Sequence, residues 1–183
     1  MDLIVFPSAD GYCADWRGRR LRCAVGRSGL TSAKREGDGA TPVGRWPMRR
    51  LLYRSDRLAQ PVTALSSRAI ADTDGWCDAP GDPAYNQPVQ LPYAASHEVL
   101  MREDAIYDLL VVLGYNDDPV VDGRGSAIFL HVAREDYAGT EGCVALAAPD
   151  LLAVLGEARL GDCVEVLNAD PKGSESASEL KNM

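Results

Sequence analysis

Short apolar runs separated by turn-forming residues constrain the fold of this chain most strongly. These runs are rich in Val, Ile and Leu and are bounded by Gly, Pro or Asp, which predicts β-strands. They are Leu3–Phe6, Leu21–Val25, Pro61–Leu65, Leu109–Leu113, Ala127–Leu130 and Cys163–Leu167. Many short strands joined by longer loops favour a mostly β fold, either a β-sandwich or an open barrel.

Two segments have the apolar spacing of an amphipathic helix instead. Ala95–Leu110 has this spacing, although its end could be a strand from Asp108 onward. Pro149–Leu160 is the stronger candidate, because Pro149 and Gly161 bracket its ends. We therefore expect one or two peripheral helices on the β fold.

The 183 residues have the size of one domain. Residues 1–168 are predicted to form this domain, and the polar residues 169–183 a disordered tail. The polar Ser32–Thr41 segment and the proline-rich Asp72–Tyr93 segment are predicted to be long functional loops. The alternative for the second segment is a rigid surface excursion that binds no ligand.

The charge balance limits the partners. The chain has 19 Lys and Arg against 27 Asp and Glu, a net charge of −8, so we expect no binding to nucleic acid. No apolar run approaches the roughly 18 residues of a transmembrane segment, so we expect none. The N-terminal residues lack the basic start and apolar stretch of a secretory signal, so no signal peptide is visible.

Cys143 and His131 are the strongest candidates for chemistry. His131 ends an apolar run, and Cys143 follows twelve residues later, after a loop-like segment. A thiol with a pKa of about 8.5 is mostly protonated at neutral pH, and a neighbouring imidazole can accept its proton. Gly142 lets the backbone approach closely, so the N–H groups of Gly142 and Cys143 could point at an acyl oxyanion. The alternative is a buried structural thiol beside a core histidine.

The other cysteines suggest no metal site. The five cysteines are odd in number and contain no Cys-x-x-Cys pair, which argues against both a zinc site and a disulfide framework. We therefore expect no metal.

The residues around Cys143 resemble the catalytic segment of the L,D-transpeptidase (YkuD-type) family, whose members remodel peptidoglycan through a cysteine acyl-enzyme. The family pattern has His at a strand end, a loop, and then Ser/Thr-x-Gly-Cys followed by an aliphatic residue. Its counterparts here are His131, Thr140, Gly142, Cys143 and Val144. Three further stretches are similar to the family's Thr-Pro-x-Gly-x-aromatic strand entry, its closing helix and its final strand: Gly39–Trp46, Pro149–Leu152 and Gly161–Val166. The resemblance spans about Leu21 to Leu167 and is to the divergent, compact branch of the family.

The chain departs from the family pattern at two positions. Many members have His where this chain has Glu141, and Arg where it has Ala145. The family arginine would grip a substrate carboxylate or organise the oxyanion site. Arg134 is the candidate replacement cation, and a solvated loop arginine is the alternative interpretation.

The resemblance implies a role for each residue of the motif. Cys143 would be the nucleophile and His131 the general base and acid. Gly142 would contribute to the oxyanion site through its backbone, and Thr140 would orient His131. The candidate substrate-binding residues are Arg134, Tyr115, Asn116, Trp76, Asp78, Tyr85 and Asn86. Packing of the long loop is the alternative for its members, and turn formation is the alternative for Asn116.

The resemblance also implies a function. We expect a peptidoglycan L,D-transpeptidase that cross-links stem peptides in cell-wall biogenesis, with 3,3 and 1,3 linkages both open. It would act in the periplasm as a monomer and need no organic cofactor. The alternatives are an L,D-carboxypeptidase that trims stem peptides, a catalytically silent wall-binding module, and a metal-dependent peptidase. The last would use His97, His131 and either Asp104 or Asp136, although His97 also suits a surface or capping role at a helix start.

Overall fold

Strands dominate the structure, as the short apolar runs predict. The structure is a computed structural model that describes residues 1–171. Its strands are β1 (Asp2–Ser8), β2 (Gly11–Trp16), β3 (Arg19–Ala24), β4 (Leu30–Thr31), β5 (Thr41–Pro42), β6 (Gly44–Tyr53), β7 (Ser67–Ala69), β8 (Asp74–Cys77), β9 (Pro88–Gln90), β10 (His97–Val99), β11 (Leu109–Leu113), β12 (Phe129–Val132), β13 (Val144–Leu146) and β14 (Cys163–Val166). A 3-10 turn covers Ala105–Tyr107, and the α-helix α1 covers Ala148–Glu157.

Nine strands form the main sheet, in the order β11-β12-β13-β3-β2-β1-β14-β6-β7. Strand β11 also pairs with β6, so the sheet closes into a barrel. The small sheets β10-β8-β9 and β4-β5 lie outside it. The predicted mostly β fold is confirmed, and α1 is the one α-helix within residues 1–171.

Strand β11 separates two apolar clusters. Leu109, Val111 and Leu113 belong to the main core, into which α1 packs its buried face. The alternate residues Leu110 and Val112 belong to a second cluster that includes Phe129, Trp76 and Cys143. Side chains alternate between the two faces of a strand, and an apolar cluster covers each face of β11. Every position of β11 is therefore buried, and its sequence is a continuous apolar run. The side chain of Cys143 is part of this second cluster.

Several local predictions are wrong. The run at Pro61–Leu65 forms no strand, and its Val62 is 85% exposed. The predicted helix over Ala95–Leu110 is instead β10, the 3-10 turn and the start of β11, because β10 pairs with β8. His97 therefore lies in a strand rather than at a helix start. Only the alternative for the end of this predicted helix, a strand from about Asp108 onward, is confirmed. The Asp72–Tyr93 segment contains β8 and β9 as well as loops.

Two further predictions concern membrane segments and the C-terminal tail. No helix within the described part of the chain is long and apolar enough to cross a membrane. In the predicted tail, Asp170 pairs with Arg20 at 2.8 Å. The rest of that prediction, residues 172–183, lies outside the described residues.

Candidate active site

Strands β12 and β13 run parallel and bring the predicted pair to one cavity. His131 lies on β12 opposite Ala145 of β13, and Cys143 directly precedes β13. The Cys143 thiol donates to the Ala127 carbonyl at 3.2 Å and accepts from the N–H of Phe129 at 3.4 Å. Cys143 and His131 both line a cavity of about 330 Å³. The structure therefore brings together the thiol and the imidazole that the motif singles out.

Burial sets the protonation states of this pair. It raises the pKa of the Cys143 thiol to about 12 and lowers the pKa of His131 to about 4. At neutral pH the resting pair is thus a thiol and a neutral imidazole rather than a thiolate and an imidazolium. His131 Nδ1 lies 2.9 Å from the Val132 carbonyl oxygen. Because a carbonyl can only accept, Nδ1 carries the imidazole proton and Nε2 keeps a lone pair that can act as a base.

Thr140 shapes the turn that carries the thiol. Its hydroxyl donates to the Cys143 carbonyl at 2.7 Å and accepts from the Gly142 N–H at 3.1 Å. Its own carbonyl accepts from the N–H of Arg27 at 2.8 Å. The Val132 carbonyl, and not Thr140, makes the hydrogen bond at His131 Nδ1. An oxyanion role for the Gly142 N–H stays a prediction, and it requires exchange of the bond to Thr140.

Gly142 occupies a position that only glycine fits. Its φ is +135°, and a Cβ at this position would lie 2.9 Å from the Ala40 carbonyl oxygen. The Gly142 carbonyl accepts from the Thr41 hydroxyl at 2.8 Å. The loop that ends at β5 therefore packs directly against the backbone of the Cys143 turn.

We expect Gly142→Ala to lower the free energy of unfolding by about 2 kcal/mol or more, because it adds backbone strain and a clash with a carbonyl. Gly11→Ala is the matched control, since Gly11 has a φ of +117° and open space where its Cβ would lie. Urea unfolding of both variants measures the difference. Equal losses of stability would contradict the close approach at Gly142.

Trp76, Asn86 and Tyr85 lie behind the cavity wall rather than on it. Asn86 Oδ1 accepts from Trp76 Nε1 and from the Ala127 N–H, both at 3.0 Å. The Trp76 ring meets Phe129 edge to face, with 5.2 Å between ring centroids. Since Ala127 and Phe129 both hydrogen-bond the Cys143 sulfur, the side chains of Asn86 and Trp76 support the segment that holds the thiol.

Tyr85 contacts a different part of the same wall. Its hydroxyl accepts from the Gly125 N–H at 3.0 Å and donates to Glu36.

Tyr115 and Asn116 also lie away from the cavity surface. The Tyr115 ring packs edge to face on Trp46, with 4.9 Å between centroids. Asn116 has a φ of 49°, and its side chain bonds the backbone of Val121 and Gly125. Asn116 therefore organises a turn, which was the alternative to substrate binding.

Of the predicted substrate-binding residues, two line the cavity, together with residues that were not predicted to bind substrate. Asp78 and Arg134 are the predicted ones. The additional charged or titratable residues are Glu36, Glu98, Arg102, Tyr107 and Glu141. Glu141 lies within the motif around Cys143 and was noted there as a departure from the family pattern. The other four come from loops, from β10 and from the 3-10 turn, and neither their spacing nor a local motif marks them as site residues.

The cavity carries both signs of charge. Glu98, Asp78 and Glu36 interact on one part of the wall, where burial and the two neighbouring carboxylates raise the pKa of Glu98. Asp78 Oδ1 is buried and has no hydrogen-bond partner. Arg102 and Arg134 supply the positive charge.

His97 and the acidic residues do not form a metal site. Within residues 1–171, no three side chains of His, Cys, Asp or Glu are grouped as metal ligands. His97 Nδ1 lies 2.7 Å from the Ala95 carbonyl oxygen, and its ring packs against Tyr93.

A comparison with known protein families identifies the family of the chain. A family model described as the L,D-transpeptidase catalytic domain, YkuD, matches residues 9–166. The chain belongs to the L,D-transpeptidase (YkuD) family. The match includes His131 and the whole Cys143 turn. A comparison with curated proteins found no match.

Within this L,D-transpeptidase family member, the two departures from the family pattern lie at the site. Glu141 forms an ion pair with Arg27 at the cavity rim. Ala145 is buried in the cavity wall, where many L,D-transpeptidases have arginine.

Two arginines lie in the same cavity as Ala145. Arg102 makes two bonds to Asp104, at 2.8 and 2.9 Å, and lies over the Tyr107 ring. Arg134 is 3.9 Å from the same carboxylate and half exposed. Asp104 therefore lies between two guanidinium groups at this corner of the cavity.

Proposed function

We propose that the protein is a peptidoglycan L,D-transpeptidase that joins stem peptides through an acyl-enzyme on Cys143. The observation that carries this proposal is the single cavity lined by the Cys143 thiol and the His131 imidazole, in a chain of the L,D-transpeptidase family. Peptidoglycan is cross-linked outside the inner membrane, so we infer that the protein acts in the periplasm.

The residues support a two-step acyl transfer. In the first step Cys143 Sγ attacks the donor carbonyl while His131 Nε2 accepts the thiol proton. Backbone N–H groups of the Cys143 turn would hold the resulting oxyanion. Its collapse breaks the C–N bond, and His131 gives the proton to the departing amine. In the second step an acceptor amine attacks the thioester carbonyl and His131 takes the amine proton. Collapse of this second intermediate breaks the C–S bond, and the proton returns to the departing thiolate.

The charges of the cavity fit a stem peptide. Such a peptide presents both carboxylates and amines, and the cavity offers Arg102 and Arg134 to the former and Glu36, Asp78 and Glu98 to the latter. An acidic protein has no general attraction for an anionic polymer, so recognition is expected to depend on these local pairs.

The low pKa of His131 predicts an unusual pH dependence. Only the neutral imidazole accepts a proton, so the rate is lost as the pH falls through its folded-state pKa of about 4. At pH 6 an ordinary histidine with a pKa of about 6.5 would be mostly protonated, whereas we expect kcat/KM there to be within about twofold of its value at pH 8. Circular dichroism at each pH controls for unfolding. An acid limb centred near the ordinary histidine pKa would contradict the burial argument.

Mass spectrometry of the products tests the proposed function. Purified protein is incubated with defined tetrapeptide-stem muropeptides, alone and with an acceptor stem. A cross-linked dimer that has lost one terminal amino acid supports transpeptidation, and its fragmentation shows the linkage. Loss of the amino acid without a dimer would instead show carboxypeptidase activity. No product from folded protein would contradict the proposal and favour a silent wall-binding module.

A further inference from the structure

A buried ammonium group lies beside the Cys143 turn and has no role in the two steps of acyl transfer. Lys34 is only 5% exposed and lies in the loop between β4 and β5. Its Nζ pairs with Asp38 Oδ1 at 2.5 Å. Burying a lysine is costly even when it has a partner, and packing alone would be served equally well by an apolar side chain.

The ammonium of Lys34 faces the backbone of the turn. A Cβ at Gly142 would lie 3.3 Å from Lys34 Nζ, and a Cβ at Gly125 would lie 2.9 Å from Lys34 Cε. Asp38 in turn accepts from the backbone N–H groups of Arg35 and Ala40, both at 2.9 Å. Lys34 is therefore enclosed by two glycines and tethered by a carboxylate that is itself fixed, so its charge stays next to the Gly142–Cys143 peptide.

The other charged groups near the thiol are mixed in sign. The titratable and charged side chains that line the cavity with Cys143 are Glu36, Asp78, Glu98, Arg102, Tyr107, His131, Arg134 and Glu141. Among the charges that act on the thiol, Glu98 raises the pKa of Cys143 and Lys34 lowers it. Lys34 thus opposes both the nearby carboxylate and the effect of burial.

We propose that Lys34 is a positioning residue whose fixed positive charge stabilises negative charge at the Cys143 turn, first on the sulfur and then on the oxyanion. This proposal rests on the proposed function, in which Cys143 is the nucleophile. A preorganised charge near a developing anion is effective because it need not reorient during the reaction. In a chain that has Ala145 where many relatives have arginine, Lys34 places a cation beside the same turn from the loop between β4 and β5.

The rate of Cys143 alkylation tests this charge effect without any peptide substrate. Each variant is treated with iodoacetamide, a neutral reagent, at one fixed pH, and modification of the Cys143 peptide is followed by mass spectrometry. Loss of a nearby charge raises a thiol pKa by about one unit. The thiolate fraction then falls about tenfold, partly offset by greater intrinsic nucleophilicity, so we expect Lys34→Met to react about threefold more slowly. Arg35→Met is the matched control, because it removes an exposed cation from the same loop.

Asp38→Asn gives a result of the opposite sign. It leaves the Lys34 charge unneutralised, so we expect alkylation to be about threefold faster than in the wild type. A purely structural ion pair would instead make both variants change in the same direction. If Lys34→Met fails to fold by circular dichroism, Lys34→Arg takes its place and is expected to react at nearly the wild-type rate.

Two results would overturn the proposal. One is a wild-type rate for folded Lys34→Met, and the other is slower alkylation of Asp38→Asn. Both are independent of transpeptidation. Failure of the proposed function would appear in the peptide assays instead, as no product from folded wild-type protein or as turnover that persists after Cys143 is removed.

Discussion

Cys143→Ala is expected to abolish acyl transfer while leaving the fold in place. Without the sulfur no thioester forms, so turnover should fall to the level of the uncatalysed reaction. The stability cost should be small, about 1 kcal/mol, because the thiol makes only two weak hydrogen bonds, to Ala127 and Phe129. Product analysis by mass spectrometry and thermal unfolding measure the two effects separately.

Cys143→Ser is the matched control for packing. The hydroxyl keeps a donor and an acceptor at the same position but is a much weaker nucleophile beside a neutral imidazole. We therefore expect wild-type stability and no turnover. Substantial turnover in Cys143→Ala would mean that another group is the nucleophile.

His131→Ala is expected to slow acylation by about 10²- to 10⁴-fold, the usual contribution of a general base. The effect should be large here because burial holds the pKa of the Cys143 thiol at about 12, so very little thiolate exists without a base. Quenched-flow mass spectrometry of the acyl-enzyme measures the rate. Added imidazole should restore part of it, since the variant leaves a space of the same shape.

The chain's other histidine provides the control. His97 lies on β10 and contacts the Ala95 carbonyl, so His97→Ala should acylate at close to the wild-type rate. Equal losses in the two histidine variants would contradict the assignment of His131 as the base.

The Cys143 turn could be predicted from sequence because its chemistry is local. Thr140, Gly142 and Cys143 are close in the chain, and His131 ends an apolar run that becomes β12. Strand β11 was predicted at its observed boundaries for a related reason, since burial on both faces leaves an uninterrupted apolar run. Short-range signals of this kind need no knowledge of the tertiary fold.

The rest of the cavity depends on contacts between distant segments. Glu98 reaches it because β10 pairs with β8, which the helical spacing of Ala95–Leu110 concealed. Arg102 follows the same strand, and its guanidinium group is held by a hydrogen bond to Asp104 and by packing over the Tyr107 ring. Lys34 lies in a loop that was expected to be functional, but only the packing against Gly142 shows which side chain points at the turn.

Asn86 and Trp76 were predicted to bind substrate, but they have a structural role instead. Their polar and aromatic character in a long loop suggested substrate binding. In the structure the Trp76 indole N–H donates to Asn86 Oδ1, and the same oxygen also accepts from the Ala127 N–H. A buried asparagine that completes backbone hydrogen bonds has the same sequence signature as one that binds a ligand.

Trapping the acyl-enzyme tests the central claim most directly. Wild-type protein is mixed with a tetrapeptide-stem donor, quenched in acid during turnover, and digested for peptide mass spectrometry. We expect the Cys143 peptide to gain the mass of the donor minus its departing amino acid, as a thioester that hydroxylamine removes. Turnover without an adduct on Cys143, or an adduct on a different cysteine, would contradict the account.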